Sequence, residues 1–311
     1  MKILIVCSGN PKNGKFDFNT HQSFVEEQMS ALNKTGVKTE LFLIKGRGVF
    51  GYLKNLPLLR QSIGLSECSA IHAHFGLSGM LAVLQRKVPV IITFHGTDIR
   101  QFPLNVISSV ASCFSKWNIF VSELLKEKLL LRHKKKYSII PCGVDFEKFF
   151  PMDKTRARQL LRLVEDKFYI LFSSAFDNPI KNYQLARKAV QPINNAVLLE
   201  LKDYTREEVN LLFNACDLLL ITSCFESSSQ VAKEAMACNC PIVSTDVGIV
   251  GKLISNQDGC YLTSYDPSEV QNKIESAINF RKRTNGRSKV LNFNNNLIAE
   301  KLLHVYGQVC F

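Results

Sequence analysis

Two glutamates, Glu226 and Glu234, stand eight positions apart around a run of three serines, Ser227, Ser228 and Ser229. The stretch reads CFESSSQVAKEAMACNCPIVSTDVG, Cys224 to Gly248. An ionised carboxylate only accepts hydrogen bonds, so it suits paired hydroxyl donors such as a ribose or a hexose. Small polar residues favour a helix N-cap, and the N–H groups of a first helical turn form an anion site. If the helix starts near Ser228, Glu234 lies roughly 9 Å further along, at about 1.5 Å per residue. Two sugars joined by a diphosphate fit that layout, with one glutamate per sugar and the helix N-terminus on the phosphates. The same spacing fits a plainer one, in which Glu234 is a solvated helix residue and Glu226 a first-turn partner of the helix dipole.

Such residues need elements to hold them. The apolar run Leu218–Ile221 precedes the first glutamate, and Pro241–Ser244 follows a helix predicted over Ser229–Cys238. The alternation extends along the whole chain. In the first half, Ile3–Cys7, Lys38–Ile44, Ala70–Ala73, Val88–Phe94, Asn118–Val121 and Ser138–Ile140 read as strands. Gln22–Lys34 reads as an amphipathic helix with Phe24, Met29 and Leu32 inward, closed by Gly36. In the second half, Tyr169–Ser173, Ala196–Leu199, Leu218–Ile221, Pro241–Ser244 and Cys260–Leu262 read as strands, between helices over Asn182–Val190, Thr205–Ala215, Ser229–Cys238 and Pro267–Asn279. Strand–helix–strand alternation implies parallel sheets covered on both faces. Ile139–Asp153, with Pro141, Gly143 and Pro151, breaks both periods and reads as a linker. The expectation is α/β: two Rossmann-like doubly wound domains, residues 1–145 and 146–311, facing across a cleft. The last helix, about 296–307, is able to pack back on the first domain. Ligands of such sheets sit outside the carboxyl ends of the strands, so the residues that matter should follow strands.

Composition sets the remaining bounds. The 311 residues are 46% hydrophobic and 21% charged, which suits two ordinary globular domains. No apolar run approaches the roughly 18 residues of a membrane span. MKILIVC is too short for a signal peptide and reads as a first strand, so a cytoplasmic protein is expected. Ten cysteines form no C-x-x-C pair, and several, such as Cys7, Cys113 and Cys216, sit in apolar segments, so reduced thiols are expected and no metal site. The net charge of +12 is uneven, because residues 1–150 hold 20 Lys+Arg against 10 Asp+Glu. Part of the excess lies in LLKEKLLLRHKKK, Leu124 to Lys136, where leucines recur at helical spacing. This run reads either as a solvated helix end or as a contact for an anionic partner, a membrane surface or a phosphorylated substrate. No recognition motif for nucleic acid accompanies it.

The flanking residues carry a resemblance. REEVNLLFNACDLLLITSCFESSSQVAKEAMACNCPIVSTDVG resembles the donor-binding region of the retaining glycosyltransferases of family 4, the group 1 glycosyltransferases of the GT-B fold. PCGVDFEKFFP resembles the linker of that family, IHAHFG and TFHGTDIR two strand-end motifs of its acceptor-side domain, and DNPIKNYQLA the loop with its phosphate-binding lysine. The matches run in the family's order from residue 1 to about 265. By resemblance, Glu234 binds the ribose hydroxyls of a UDP- or GDP-linked sugar, Glu226 contacts the transferred sugar, Lys181 pairs with the diphosphate, and His95 reaches the donor sugar. His74 is a weaker candidate beside His95. Three departures stand out. Glu226 is followed by three serines in place of the usual Gly-Phe-Gly. No arginine lies between Ser173 and Ile180, which leaves Arg100 as a candidate helper on the diphosphate. The first loop has only Gly9 and Gly14.

What the resemblance implies is retaining transfer to a glycan or lipid-linked acceptor in cell-surface polysaccharide or glycoconjugate synthesis, without cofactor. No D-x-D pair occurs, so the expectation is metal independence, with the enzyme in the cytoplasm and peripheral at the inner face of the plasma membrane. Two rivals share the architecture, a non-hydrolysing nucleotide-sugar epimerase and a nucleotide-sugar-binding protein without turnover. A dehydrogenase is disfavoured, because no G-x-G-x-x-G follows MKILIVC.

Overall fold

The computed structural model describes residues 1–10, 16–18, 22–131 and 135–310. Gly14 of the first loop and Arg132 and Lys134 of the basic run lie outside the described residues. The chain divides into two compact units, Met1–Gly143 with Asn295–Phe311, and Val144–Asn294.

The first unit holds a six-stranded parallel sheet in the order β2-β1-β3-β4-β5-β6. Its strands are β1 (Lys2–Ser8), β2 (Lys38–Ile44), β3 (Ala70–His74), β4 (Val90–Phe94), β5 (Trp117–Phe120) and β6 (Tyr137–Ile139). All five residues of β3 and of β4 are buried, so the apolar residues there follow one another without a period-2 alternation, and the polar ones, His72, His74 and Thr93, are buried with them. The predicted helix appears as Ser23–Lys34, ending before Gly36 at φ +85°. Leu32 is fully buried, while Phe24 and Met29 pack half-buried on the same core. The helix Asn295–Cys310 joins that core through Ile298, Ala299, Leu302, Val305, Tyr306 and Val309, against Ile3, Ile5 and Ile91 of the sheet.

The second unit holds a five-stranded parallel sheet in the order β11-β10-β9-β7-β8. Its strands are β7 (Phe168–Phe172), β8 (Ala196–Glu200), β9 (Leu218–Ile221), β10 (Ile242–Thr245) and β11 (Tyr261–Thr263). In each sheet one strand is flanked on one side by the next strand in sequence and on the other by a later one. These are β1, between β2 and β3, and β7, between β8 and β9. At such a switch the connecting loops diverge and leave a crevice beyond the carboxyl ends.

The basic run is not one helix. Helix Glu123–Glu127 ends after five residues. Leu125 and Leu129 are buried, whereas Leu130 and Leu131 are about half exposed. The leucine spacing therefore reflects two core anchors, four positions apart, across a helix end. Lys126 donates to the Tyr137 hydroxyl at 2.7 Å, and Lys136 lies over the Trp117 ring. No described helix is long and apolar enough to cross a membrane. All ten cysteines are free thiols.

Candidate functional site

The crevice of the second unit lies between the loops after β7 and β9. Lys181 ends the first loop, in a short helical turn Pro179–Lys181 whose start is capped by the Asn178 side chain. Glu226 lies in the second loop. Their side chains meet, with Lys181 Nζ 2.5 Å from Glu226 Oε1. Residues 45 apart in sequence are thus brought together by the switch in strand order. The pairing is braced from all sides. The Thr222 hydroxyl donates to the Lys181 carbonyl at 2.8 Å, and the Cys224 N–H donates to the Ile180 carbonyl at 2.9 Å. The Ser223 hydroxyl donates to Glu226 Oε1 at 2.8 Å. The Ser223 carbonyl accepts from Thr245 at the end of β10 and from Tyr265 after β11, at 2.9 and 3.0 Å. Gly248 closes the far side at φ +57°, where a Cβ would come within 2.5 Å of the Glu226 carbonyl oxygen. No side chain fits there, so the glycine that ends the motif is a steric requirement.

Glu234 is held differently. It lies in helix Gln230–Ala237 and is almost fully buried. Arg206 grips it in a fork, with Nη2 at 2.6 Å from Oε1 and Nη1 at 3.4 Å from Oε2, and stacks its guanidinium on Phe149. Each carboxylate oxygen keeps a further lone pair for another donor. The serines depart from expectation. Ser229 occupies the N-cap position, but its φ of +33° is left-handed and its hydroxyl makes no cap bond. An N-cap hydroxyl reaches the N–H of the second or third helical residue from an extended backbone, and the left-handed turn removes that geometry. Ser229 Oγ is buried without a hydrogen-bond partner. Ser228 instead accepts a hydrogen bond from Lys233, a fully buried lysine on the same helix, at 3.1 Å.

In the first unit the strand ends carry imidazoles. His72 and His74 of β3 stack at 4.6 Å between ring centroids, and His74 stacks on His95, just after β4, at 5.2 Å. His74 Nδ1 and His95 Nε2 share a hydrogen bond of 3.0 Å, and Cys142 Sγ lies 3.6 Å from His95 Nδ1. His72 bonds the Tyr306 hydroxyl and the Thr93 hydroxyl, each at 2.7 Å. Burial drives all three below the ordinary histidine range, His74 to about 3, and the neighbouring rings push His72 and His95 the same way. The cluster is therefore neutral at physiological pH and offers hydrogen bonds, not charge. His74 Nε2 is buried with no partner. Asp98 fixes the turn by accepting from the N–H groups of His95, Gly96 and Gly76. Burial raises its carboxyl to about 6, against the pull of those backbone donors. Arg100 is exposed at the end of the four-residue helix Thr97–Arg100 of the same unit.

Sequence reasoning missed Arg206, Lys233 and Asp98. Arg206 did leave a signal. It opens a helix with a complete capping box, Thr205 with Glu208, and a cation in a first turn opposes the helix dipole unless it has a partner. Asp98 stood in view within TFHGTDIR. Among the described residues no group of three or more His, Cys, Asp or Glu is placed to hold a metal ion.

Two family models match the chain: the glycosyltransferase family 4 model over residues 22–148 and the group 1 glycosyl transferase model over residues 177–279. Between them they take in both sets of strand ends. The chain belongs to the group 1 glycosyltransferases. It is 26% identical over 290 residues to an uncharacterized glycosyltransferase of Methanocaldococcus jannaschii, covering 86% of this chain and 81% of that one. It is 24% identical over 271 residues to a D-inositol 3-phosphate glycosyltransferase of a Mycobacterium species, covering 71% of this chain and 61% of that one. Among solved structures, sucrose-phosphate synthase from Thermosynechococcus elongatus superposes with a TM-score of 0.83 at 17% identity, covering 99% and 98% of the two chains. Anabaena HepE in complex with UDP superposes with a TM-score of 0.76 at 17% identity, covering 99% and 100%. At these identities the structures establish a GT-B fold for this group 1 glycosyltransferase.

Proposed function

We propose that this glycosyltransferase takes its sugar from a UDP- or GDP-linked donor held at the carboxyl ends of the second sheet and transfers it with retention to a glycan or lipid-linked acceptor. The observation that carries the donor reading is the pair of buried carboxylates, Glu226 on Lys181 and Glu234 on Arg206, flanking the N-terminus of one helix. HepE was solved with UDP and with UDP-glucose, which supports a donor of this class. Glu234 accepts from the ribose hydroxyls through the lone pairs that Arg206 leaves open. Glu226 accepts from the transferred sugar. Lys181 faces the diphosphate, beside the first N–H groups of helix Gln230–Ala237, which no intrahelical carbonyl can reach. His95 keeps the role the resemblance gives it, its neutral imidazole serving as a hydrogen-bond partner to a hydroxyl, and Arg100 stays the candidate helper on the diphosphate in place of the arginine this sequence lacks.

In the reaction, the bond between the anomeric carbon and the phosphate oxygen breaks and its electron pair stays on the diphosphate. The acceptor oxygen bonds to the same carbon from the same face. Its proton passes to the departing phosphate oxygen. Negative charge grows on that oxygen in the transition state, and Lys181 with the helix N–H groups opposes it without reorganising. One such preorganised donor contributes on the order of 3 kcal/mol. The acceptor half of the proposal, with a role in cell-surface polysaccharide or glycoconjugate synthesis and a peripheral place on an anionic membrane, is supported by the excess positive charge of residues 1–150. Calorimetric titration with UDP, GDP and their sugars, followed by turnover with the donor that binds, tests it. Binding of neither nucleotide overturns the reading. Donor epimerisation without transfer favours the epimerase reading, whose architecture is shared with UDP-GlcNAc 2-epimerase of Methanocaldococcus jannaschii at a TM-score of 0.64.

A further inference from the structure

Between Glu40 and Glu67 the chain has no acidic residue, while Lys45, Arg47, Lys54 and Arg60 fall within it. In the structure this segment forms two short helices after β2, Gly48–Leu53 and Leu56–Ser66. All four basic side chains are exposed. So are large apolar ones: Phe50 at 83%, Leu65 at 79%, Leu58 at 56% and Val49 at 48%, with Leu53 beside them. Val49, Phe50 and Leu53 share one face of the first helix, and Leu58 and Leu65, seven apart, share one face of the second. The opposite face of the second helix is anchored by buried Leu59 and Ile63.

This exposure is built into a fixed backbone. The buried Asn55 side chain donates to the carbonyls of Lys45 and Gly51, at 2.8 and 2.7 Å, and accepts from the Lys45 N–H at 3.1 Å. Gly46 and Gly51 touch so closely that a Cβ on Gly51 would lie 2.7 Å from the Gly46 carbonyl carbon. Asn10, after β1, makes two 2.8 Å bonds to the Gly46 backbone. The apolar knuckle is therefore clasped to the carboxyl end of the first sheet, at its β1/β2 side, the end where ligands of such sheets sit.

We infer that the segment Lys45–Ser66 is a membrane-contact surface, which seats Phe50, Leu53, Leu58 and Leu65 in the interface of an anionic bilayer while Lys45, Arg47, Lys54 and Arg60 meet its headgroups. Charge selects the occupant. A second copy of this chain would set four cations against four, whereas an acidic lipid surface is apolar and negative at once. The basic run Leu124–Lys136 is the poorer surface, because Leu125 and Leu129 are buried in the core and Lys126 is engaged with Tyr137 and Glu123. The inference deepens the acceptor half of the proposed function, since an acceptor tethered to lipid would be presented to the carboxyl end of the first sheet.

Sedimentation with phosphatidylcholine vesicles, with and without phosphatidylglycerol, tests it on the full chain at low and physiological salt. The wild type should partition at least tenfold more strongly onto the anionic vesicles. Phe50→Ser with Leu53→Ser, and separately Lys54→Glu with Arg60→Glu, should each lose about tenfold or more, on the scale of roughly fivefold per basic residue. Lys128→Glu with Lys135→Glu should lose less than either. Equal partition of the wild type onto both vesicles overturns the inference, as does undiminished binding by the Phe50/Leu53 variant or a larger loss in the Lys128/Lys135 variant. Calorimetry of UDP and GDP with the Phe50/Leu53 variant separates this outcome from the donor reading. Nucleotide affinity should equal that of the wild type, so vesicle binding and nucleotide binding stand or fall independently.

Discussion

The strand ends of the two units share a topology and differ in electrostatics. Beyond the second sheet, opposite charges are held in contact, Lys181 on Glu226 and Arg206 on Glu234. In the first, three stacked imidazoles, two within β3 and one just after β4, are held neutral beside the Asp98 carboxyl that burial has raised to about 6. One architecture thus supports a fixed array of ions in one unit and an uncharged hydrogen-bonding cluster in the other. The difference lies in partners. A buried ion persists where a counter-ion reaches it, and a buried imidazole without one stays neutral. A polyanionic ligand calls for the first arrangement and a hydroxyl-bearing one for the second.

Acid should break the contrast most severely. His74 is fully buried with its folded value lowered to about 3, so between about pH 3 and 6.5 the unfolded chain binds more protons at this site than the folded one, and His72, buried beside it, acts in the same direction. Stability then falls as pH falls, by roughly 1.4 kcal/mol per pH unit for His74. His95 acts in the same direction. Asp98, raised to about 6, acts in the opposite one, losing stability as pH rises from about 4 to 6 and so offsetting one histidine there. The net expectation is a loss of stability as pH falls from about 6.5 to about 4.5. Urea denaturation across that range measures it, and His74→Gln should flatten the slope by about one proton. A flat profile would mean the imidazoles are not held neutral.

Removing the cation of the second unit comes next. Lys181→Ala should lower kcat by about 10²–10³-fold, since its charge opposes charge that appears only in the transition state. It also strands a buried glutamate, so Lys181→Ala with Glu226→Gln separates the catalytic loss from the structural one. Recovery of stability without recovery of kcat fits the assignment, and recovery of both contradicts it. A smaller effect is expected at the other carboxylate. Glu234→Ala should weaken nucleoside diphosphate binding by about 1.5–3 kcal/mol, the range for hydrogen bonds to an ionised acceptor. The 2′,3′-dideoxy nucleotide should show almost no change, and an equal loss for both nucleotides would remove the ribose assignment. The smallest effect expected is that of EDTA, because Lys181 and the helix N-terminus already supply the positive field. Turnover lost in chelator and restored by Mg²⁺ would show otherwise.

The eleven strands among the described residues were legible in the sequence, with ends shifted by a residue or two; the central ones, such as β1, β4, β9 and β10, stand out because strands buried on both faces are largely apolar. The helices Gly48–Leu53, Leu56–Ser66, Gly76–Val83 and Phe102–Phe114 were not. Gly76–Val83 is the clearest case. It is covered by the sheet on one side and by Phe102–Phe114 on the other, so it is apolar nearly all round and lacks a 3.6-residue period. Gly48–Leu53 failed for the opposite reason, since its large apolar residues face outward. At the site, Lys181, Glu226 and Glu234 were legible as motif residues. Their partners were less so. The Arg206–Glu234 pair spans 28 positions and the Lys181–Glu226 pair 45, and no local period encodes contacts made only by strand order. The serine run was misread as a side-chain cap, because a left-handed Ser229 cannot be foreseen from a residue type that so often caps helices.

The helix Asn295–Cys310 has a consequence for how the molecule is made. It supplies Ile298, Leu302 and Tyr306 to the core around β1, and the Tyr306 hydroxyl bonds His72 within β3. Yet it is encoded after the whole of Val144–Asn294. On the ribosome, at about 5–20 residues per second, the second unit is complete while the first still lacks its last helix. The unit that begins synthesis first is the one that finishes folding last, and until then its sheet exposes the apolar face that this helix will cover.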